Sequence, residues 1–492
     1  MLQILFAAFI TLYLFYEFYW KRRNFPPGPT PLPIVGNLLE VLLKSPGYEA
    51  YQRWKRDFGA VHTYWICGLP IVSIADYEII KETFIKDGEK YVDRWFFGDF
   101  MKDFKGGDLG VISSQGDLWR EQRRLTLHTL RDFGMGRNIM EERVMIEVDF
   151  LLERLATQKE NVYMQNEFDI AVGSVINNIL FGYRFDEEHL HEFDLLKAAL
   201  RQLVYKLQNP LIILASCSPI IKSLPFINGF YNRLLADRDV LYGFVRKQIA
   251  EKRKQINYGV DSSEDFVESY LKEWERKKGT KQEEFYFEQQ LEAVIFDIWT
   301  AGMETTSNTL TWSIVYIMNN PDVQTKIHEE LDRVIKSDRK ITMSDKNSLP
   351  YTNAVISEVQ RLANLVPQNL CRLNSEEVEI KGYKIPAGTI MVPQISSVLY
   401  DEKIFPDPYK FDPNRFLKPD GSYQNRPELV PFSVGKRQCA GEGMAKLELY
   451  SFLANLFQRF KISSKTLPSL EKTMGTVVTS KPYYCDFEER HK

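Results

Sequence analysis

Cysteine is scarce in this chain of 492 residues: there are five, at 67, 217, 371, 439 and 485, far apart and with no C-x-x-C pair. None stands at zinc-like spacing from the six histidines. This argues against a disulfide framework and fits a body facing a reducing compartment. Net charge is also lacking. With 63 Lys and Arg against 66 Asp and Glu, the formal charge is −3, so the total predicts no nucleic-acid partner, and any charged docking face must be local. No G-x-G-x-x-G follows a predicted strand, since the run from Gly441 through Gly443 to Lys446 lacks the third glycine; a built-in dinucleotide site is therefore not expected. What is present is apolar: 44% hydrophobic and 13% aromatic residues argue for a large packed core rather than disorder.

One short stretch organises the rest. Phe432, Gly435, Arg437, Cys439 and Gly441 lie within ten residues. A lone cysteine is most simply a small buried hydrophobe, but here it sits between two glycines that allow tight turning and close approach to a flat ligand. Arg437 is a fixed cation suited to a carboxylate such as a haem propionate, and Cys439 can ligate iron. A helix predicted to start after Ala440 turns its positive end toward the sulfur and favours thiolate. At average residue usage, a chance match to five such positions arises on the order of once in ten thousand chains of this length. The stretch resembles the signature of the cytochrome P-450 family, which has Phe, Gly, Arg, Cys and Gly at these five places.

Leu2 to Trp20 is an apolar run broken by Gln3, Thr11 and Glu17 and stopped by Lys21, Arg22 and Arg23. It is long enough to span a bilayer, and its basic cluster follows rather than precedes it, unlike a cleaved signal peptide. Residues 1–20 are therefore expected to be an anchor, with the body on the cytoplasmic side by the positive-inside rule. Residues 21–33 form a basic stop and a stiff proline-rich hinge, and 34–492 a single catalytic domain. Anchor, stop and hinge in this order look like microsomal members of the family, which implies the endoplasmic reticulum membrane.

Further along, Val61 to Ile74 alternates around Gly68 and Pro70 as a hairpin. Trp119 and Arg123 share one helix face. Residues 197–255 read as two helices joined by apolar loops at 212–214 and 225–231. Phe287 to Asn320 is an unusually long helix whose centre, Ala301, Gly302, Glu304, Thr305 and Thr306, is polar where a core helix should be leucine. Glu358 and Arg361 stand at helical spacing, and Pro413, Arg415 and Phe416 follow in an irregular stretch.

The resemblance assigns roles to these residues. Trp119, Arg123, Arg372 and Arg94 match donors to the haem propionates. Gly302 would open a groove beside the haem, Thr305 would hydrogen-bond the dioxygen, and Glu304 would help deliver protons. Glu358, Arg361 and Arg415 would form a buried structural network. The implied fold is mainly α with a small β region (α+β), the triangular cytochrome P-450 fold, with haem between the long central helix and the C-terminal cysteine loop. The implied activity is a haem-thiolate monooxygenase of the drug- and steroid-metabolising clan, using haem b and O2. NADPH and flavin would act only through a partner reductase, and a contribution from cytochrome b5 stays open. Arg120, Arg124, Arg131 and Lys436 are candidates for the reductase face. A lipophilic small molecule is the expected substrate, suggested by Phe96, Phe97, Phe100 and Phe226, with pocket walls from 95–112, 200–230, 293–305 and 473–479. The roof over that pocket would dip into membrane lipid. An isomerase or peroxygenase of the same fold, or a haem sensor or electron carrier, is the alternative.

Overall fold

The computed structural model describes residues 1–96, 98–133, 138–475 and 477–491. The expectations for Phe97 and for residue 476 of the pocket wall lie outside the described residues. The main helices are α1 (Leu2–Phe18), α2 (Gly116–Asp132), α3 (Met164–Phe181), α4 (Leu190–Leu207), α5 (Pro210–Cys217), α6 (Pro219–Ser223), α7 (Pro225–Gln255), α8 (Glu288–Met318), α9 (Pro350–Ala363) and α10 (Glu442–Arg459). The β region is small. Its largest sheet joins β1 (Val61–Ile66), β2 (Leu69–Ile74), β3 (Asp93–Arg94), β4 (Arg372–Leu373) and β7 (Ile390–Pro393) in the order β1-β2-β7-β4-β3. β5 (Val378–Ile380) and β6 (Tyr383–Ile385) form one separate hairpin, β8 (Lys472–Met474) and β9 (Val478–Ser480) another. The fold is thus mainly α with a small β region, as the sequence implies.

The predicted long helix is α8, and it is buried on nearly every side, so its apolar residues are not confined to one stripe. It packs on α3, α7, α9 and α10. Its closest approach is to α3, where a Cβ at Gly302 would lie 2.9 Å from Ile176 Cδ1. The space left by the missing side chain is therefore filled by Ile176. Glycine here lets two helices touch, and Gly302 itself stays half-buried beside exposed Ala301.

Two expectations change. The apolar loops at 212–214 and 225–231 are helical, forming α5, α6 and the start of α7. Pro210, Pro219 and Pro225 each stand in a first turn, where the absent N–H would have had no partner anyway. Segments expected as loops are helix starts. The proline-rich segment is extended but not free, because the Thr63 N–H donates to Pro27 O at 3.0 Å and a Cβ at Gly28 would overlap Thr63 O at 1.8 Å. It is docked on β1. By contrast α1 has no buried residue; Leu2–Arg22, with mean hydropathy 1.5, is long and apolar enough to cross a membrane.

Glu358 and Arg361 are fully buried and paired at 2.7 Å. Arg361 also donates to Leu399 O at 2.9 Å and Pro408 O at 2.7 Å. Glu358 accepts from the Asp412 N–H at 2.9 Å, and Arg415 Nε lies 3.4 Å from its Oε1. Burial raises the Glu358 pKa while the Arg361 guanidinium opposes that rise. The pair thus ties α9 to the irregular stretch before the cysteine loop. Glu358→Ala is expected to strand Arg361 and cost about 3–5 kcal/mol, read as a lower urea midpoint; an unchanged midpoint would show that the network carries no stability.

Candidate active site

The cysteine loop is built by its own backbone. The Cys439 N–H donates to Phe432 O at 3.0 Å and the Gln438 N–H to Gly435 O at 2.9 Å, folding Gly435–Arg437 into a single 3-10 turn. Gly435 has φ +70°, and a Cβ there would lie 1.9 Å from Phe84 O. Only glycine fits. Gly441 differs from expectation: its φ is −93° as the N-cap of α10, and a Cβ would meet only Cys439 Sγ, at 4.0 Å. It keeps the flank of the sulfur clear rather than turning the chain.

Cys439 is exposed, the other described cysteines being buried or half-buried. Protein nonetheless surrounds it closely enough that burial pushes its thiol pKa up, against the Gly441 N–H and the Arg123 charge, which pull it down. The helix start by itself therefore does not yield a thiolate, and a coordinated metal would. Among the described residues no group of three or more His, Cys, Asp or Glu is placed to hold a metal ion. A single protein sulfur suits a haem iron, whose in-plane ligands come from the porphyrin.

Around this loop cations converge. Arg437 is buried, donates to Val92 O and to Ser114 O (2.6 Å), and lies 3.9 Å over the Trp119 ring. Arg123 donates to Gln438 O at 2.7 Å. Arg372 donates to Val434 O at 2.7 Å, and Arg94 to Leu370 O at 2.9 Å. Burial lowers the Arg437 pKa to about 8, with Arg94, Arg123 and Arg372 adding to the effect and Asp93 opposing it. Arg94 is lowered to about 10, first by burial, and Arg372 falls well below its ordinary range for the same reason, with Arg94 and Arg123 contributing. Polar hydrogens are left over as well. Trp119 Nε1, Arg94 Nε and Arg372 Nε and Nη1 are buried without a hydrogen-bond partner. Buried donors normally have acceptors, so this cluster fits an anion with several oxygens, as the two propionates of haem provide.

The polar centre of α8 has a partner that spacing did not reveal. Thr305 Oγ1 donates to Ala301 O at 2.8 Å, the bond that bends a helix slightly. Glu304, nearly buried, is held by Lys197 of α4 at 2.5 Å, and Lys197 also reaches Asp169 of α3 at 3.2 Å. These two carboxylates raise the Lys197 pKa although burial acts to lower it. A cavity of about 320 Å³, lined in part by Asp169, Lys197, Arg201, Glu304 and Asn308, opens on this triad. Lys197 lies 107 residues from Glu304, so nothing in the local pattern points to it.

The aromatic expectations divide. Phe100 is buried, 5.2 Å from Phe104 and 6.2 Å from Tyr231 between ring centroids; Phe96 is half-buried against the same core. Phe226 is 74% exposed, which corrects its reading as a pocket wall. It stands on the outer surface with Ile220 and Leu224.

A mainly helical fold, a cysteine presented beside the start of a long C-terminal helix, and a ring of unsatisfied cations define a haem-thiolate protein. Sequence comparison agrees. The profile described as Cytochrome P450 matches residues 26–487. The chain is 36% identical over 448 residues to "Cytochrome P450 2C39" of Mus musculus, covering 91% of this chain and 90% of that one. It is 34% identical over 477 residues to "Cytochrome P450 2C8" of Homo sapiens, covering 97% and 95%, and 33% identical over 447 residues to "Cytochrome P450 2H1" of Gallus gallus, covering 90% and 88%. The chain belongs to the cytochrome P450 family. It is a monooxygenase that uses haem b with a cysteine thiolate ligand and O2.

Because the cations are unpaired in the protein alone, Arg372→Met is expected to act with opposite signs in two states. It should raise the melting midpoint of the haem-free chain by removing a buried unpaired charge. It should also speed haem loss to a haem-scavenging globin about tenfold or more by removing charged hydrogen bonds. Equal shifts of both in one direction would contradict the anion-site reading.

Proposed function

We propose that the protein oxidises small lipophilic molecules at the membrane surface with electrons from an NADPH-dependent flavoprotein reductase. Xenobiotics, fatty acids and steroids all meet that description. The observation that carries this reading is the set of unpartnered donors on Trp119, Arg94 and Arg372 beside a solvent-facing Cys439. Haem b held there supplies the redox centre at which one atom of O2 enters the substrate and the other leaves as water.

The chain's own residues divide the remaining work. Cys439 would supply the sulfur ligand, while Arg437, Arg94, Arg372, Trp119 and Arg123 would hold and orient the propionates. Phe432, Gly435 and Gly441 keep the loop in shape. Ala301 lends its carbonyl to the Thr305 hydroxyl, and that hydroxyl is the group that can turn to donate toward the reacting oxygen. Glu304 stands between Thr305 and the cavity at Lys197 and Arg201, in position to pass protons inward from water. Lys197 keeps its carboxylate in place. Gly302 serves by allowing α3 to press on α8 at this level.

Membrane placement draws on two exposed apolar surfaces, α1 and the Ile220, Leu224 and Phe226 face of the roof. Lipid would cover both. We assign residues 1–20 to a single anchor in the endoplasmic reticulum membrane, with the body in the cytoplasm. The folded unit starts at the docked prolines near residue 26 rather than after a free hinge.

The reductase would dock on the cysteine side. A surface hollow of about 480 Å³ there includes Phe432, Lys436, Gln438 and Glu442 in its lining. Of the expected docking cations, Arg120 pairs with Asp117 at 2.9 Å, Arg124 with Glu121 at 2.8 Å and Lys436 with Glu89 at 2.8 Å. Exposed pairs of this kind are weak and exchange readily, so a partner's acidic face can replace them; Arg131 offers a further exposed cation. Cytochrome b5 could use the same face.

Three measurements test the proposal. A strongly red-shifted Soret band with carbon monoxide and dithionite is expected for the wild type and not for Cys439→Ser; the same band in both would remove Cys439 as ligand. Thr305→Ala and Glu304→Gln should lower product formed per NADPH on the order of a hundredfold while leaving substrate binding spectra intact, and undiminished yield would dismiss the proton route. Charge reversal at Arg124 and Lys436 should slow reduction by the reductase but not peroxide-driven turnover; unchanged reduction kinetics would place the docking face elsewhere.

A further inference from the structure

Two cysteines outside the haem site lie against each other. Cys67 is buried in the β1–β2 turn with φ +53°, and half-buried Cys217 is the last residue of α5. Cys217, Ile213 and Leu214 pack on the cluster that contains Cys67, Ile66 and Ile71. Positions 213 and 217 are one helical turn apart, so a single face of α5 lies on the hairpin tip. Each thiol acts on the other, which holds the Cys67 thiol below its ordinary range and pushes Cys217 up. The other described cysteines have different partners: Cys371 meets Gln368 at 3.4 Å and Cys485 meets Met318 at 3.5 Å.

What this pair joins gives it a consequence. α5 begins the roof that continues through α6 into α7 and carries the exposed Ile220, Leu224 and Phe226. The hairpin belongs to the main sheet, which also contains Arg372 and Arg94. Among the described residues the roof's other polar ties include the Lys222–Asp103 ion pair and the Tyr231–Asp103 hydrogen bond at 2.9 Å, both to the helix Gly98–Lys105 rather than to the sheet. While the thiols are reduced, the apolar contacts of Ile213, Leu214 and Cys217 hold α5 to the hairpin.

We propose that Cys67 and Cys217 form a reversible disulfide that latches the roof onto the main sheet when a low-molecular-weight disulfide such as oxidised glutathione is abundant. The Cys67 thiolate attacks one sulfur of the small disulfide, forming a mixed disulfide and releasing one small thiolate, which takes up a proton. Cys217 then loses its proton and attacks the Cys67 sulfur, expelling the second small thiol. Two protein thiols are oxidised by two electrons and one small disulfide is reduced to two thiols. In a reducing cytoplasm the latch is open, and it closes only as the poise shifts.

The full-length haem-loaded protein in phosphatidylcholine vesicles is incubated with oxidised glutathione, alkylated and digested without reduction. A peptide pair joined through Cys67 and Cys217 is expected by mass spectrometry. The binding rate of 4-phenylimidazole, followed by its haem spectral change, should fall several-fold and recover with dithiothreitol. Cys217→Ala, at a half-buried position, and Cys67→Ser should each fold, load haem and bind the probe at one rate whatever the glutathione state. Glutathionylation that persists on either thiol without the cross-link, or a cross-linked protein that binds the probe at the unlinked rate, overturns the proposal.

Discussion

The structure depends on a charge imbalance that the protein does not resolve by itself. Arg94, Arg123, Arg372 and Arg437 are brought together with Asp93 opposing their mutual effect on Arg437, and several buried hydrogens of Arg94 and Arg372 meet no acceptor. Each guanidinium is held by backbone carbonyls from a different part of the chain: Val92 and Ser114, Leu370, Val434 and Gln438. Sheet, cysteine loop and the segment before α2 are therefore fastened to one another through the cations that the ligand must neutralise. Ligand and fold are linked in consequence: an anion that binds only the assembled cluster stabilises the whole arrangement.

How legible this was in the sequence depends on how local the cause is. Gly435 was readable because the backbone conformation it requires lies within the loop, and the α8 boundaries followed from a long apolar pattern ended by Pro321. The main-sheet hairpin was readable from alternation around Gly68 and Pro70. The loops expected at 212–214 and 225–231 proved helical because an apolar run after a proline reads equally as loop or helix start, and the Leu211 and Ile221 N–H groups that donate to Asn209 and Ser218 mark two of the starts. Gly441 was assigned its place for a physical reason that the structure revises, since it clears the sulfur, and the contact of Gly302 with Ile176 depends on a helix crossing that no local pattern shows.

Phe226 marks a different limit. Its apolar character was plain, but the side of the roof it occupies is set by the pitch of α7 from Pro225 onward, and a single residue of phase separates pocket wall from outer surface. Lys197 marks another. A buried carboxylate needs a cation, so the requirement at Glu304 followed from placing it on a core helix, whereas the identity of the cation depends on how α4 crosses α8.

The two polar assemblies, the arginine cluster at the cysteine loop and the Lys197 triad on α8, obey opposite rules. On the cysteine side, cations outnumber carboxylates and donors lack acceptors, an arrangement made to hold a fixed anion permanently. On the α8 side, Lys197 is shared by Asp169 and Glu304 at a cavity that Arg201 and Lys481 also line, so charges of both signs meet there and satisfy one another. A cluster that waits for an anion and a cluster that is paired within the protein are thus built from the same residue types, and the supply of acceptors is what distinguishes them.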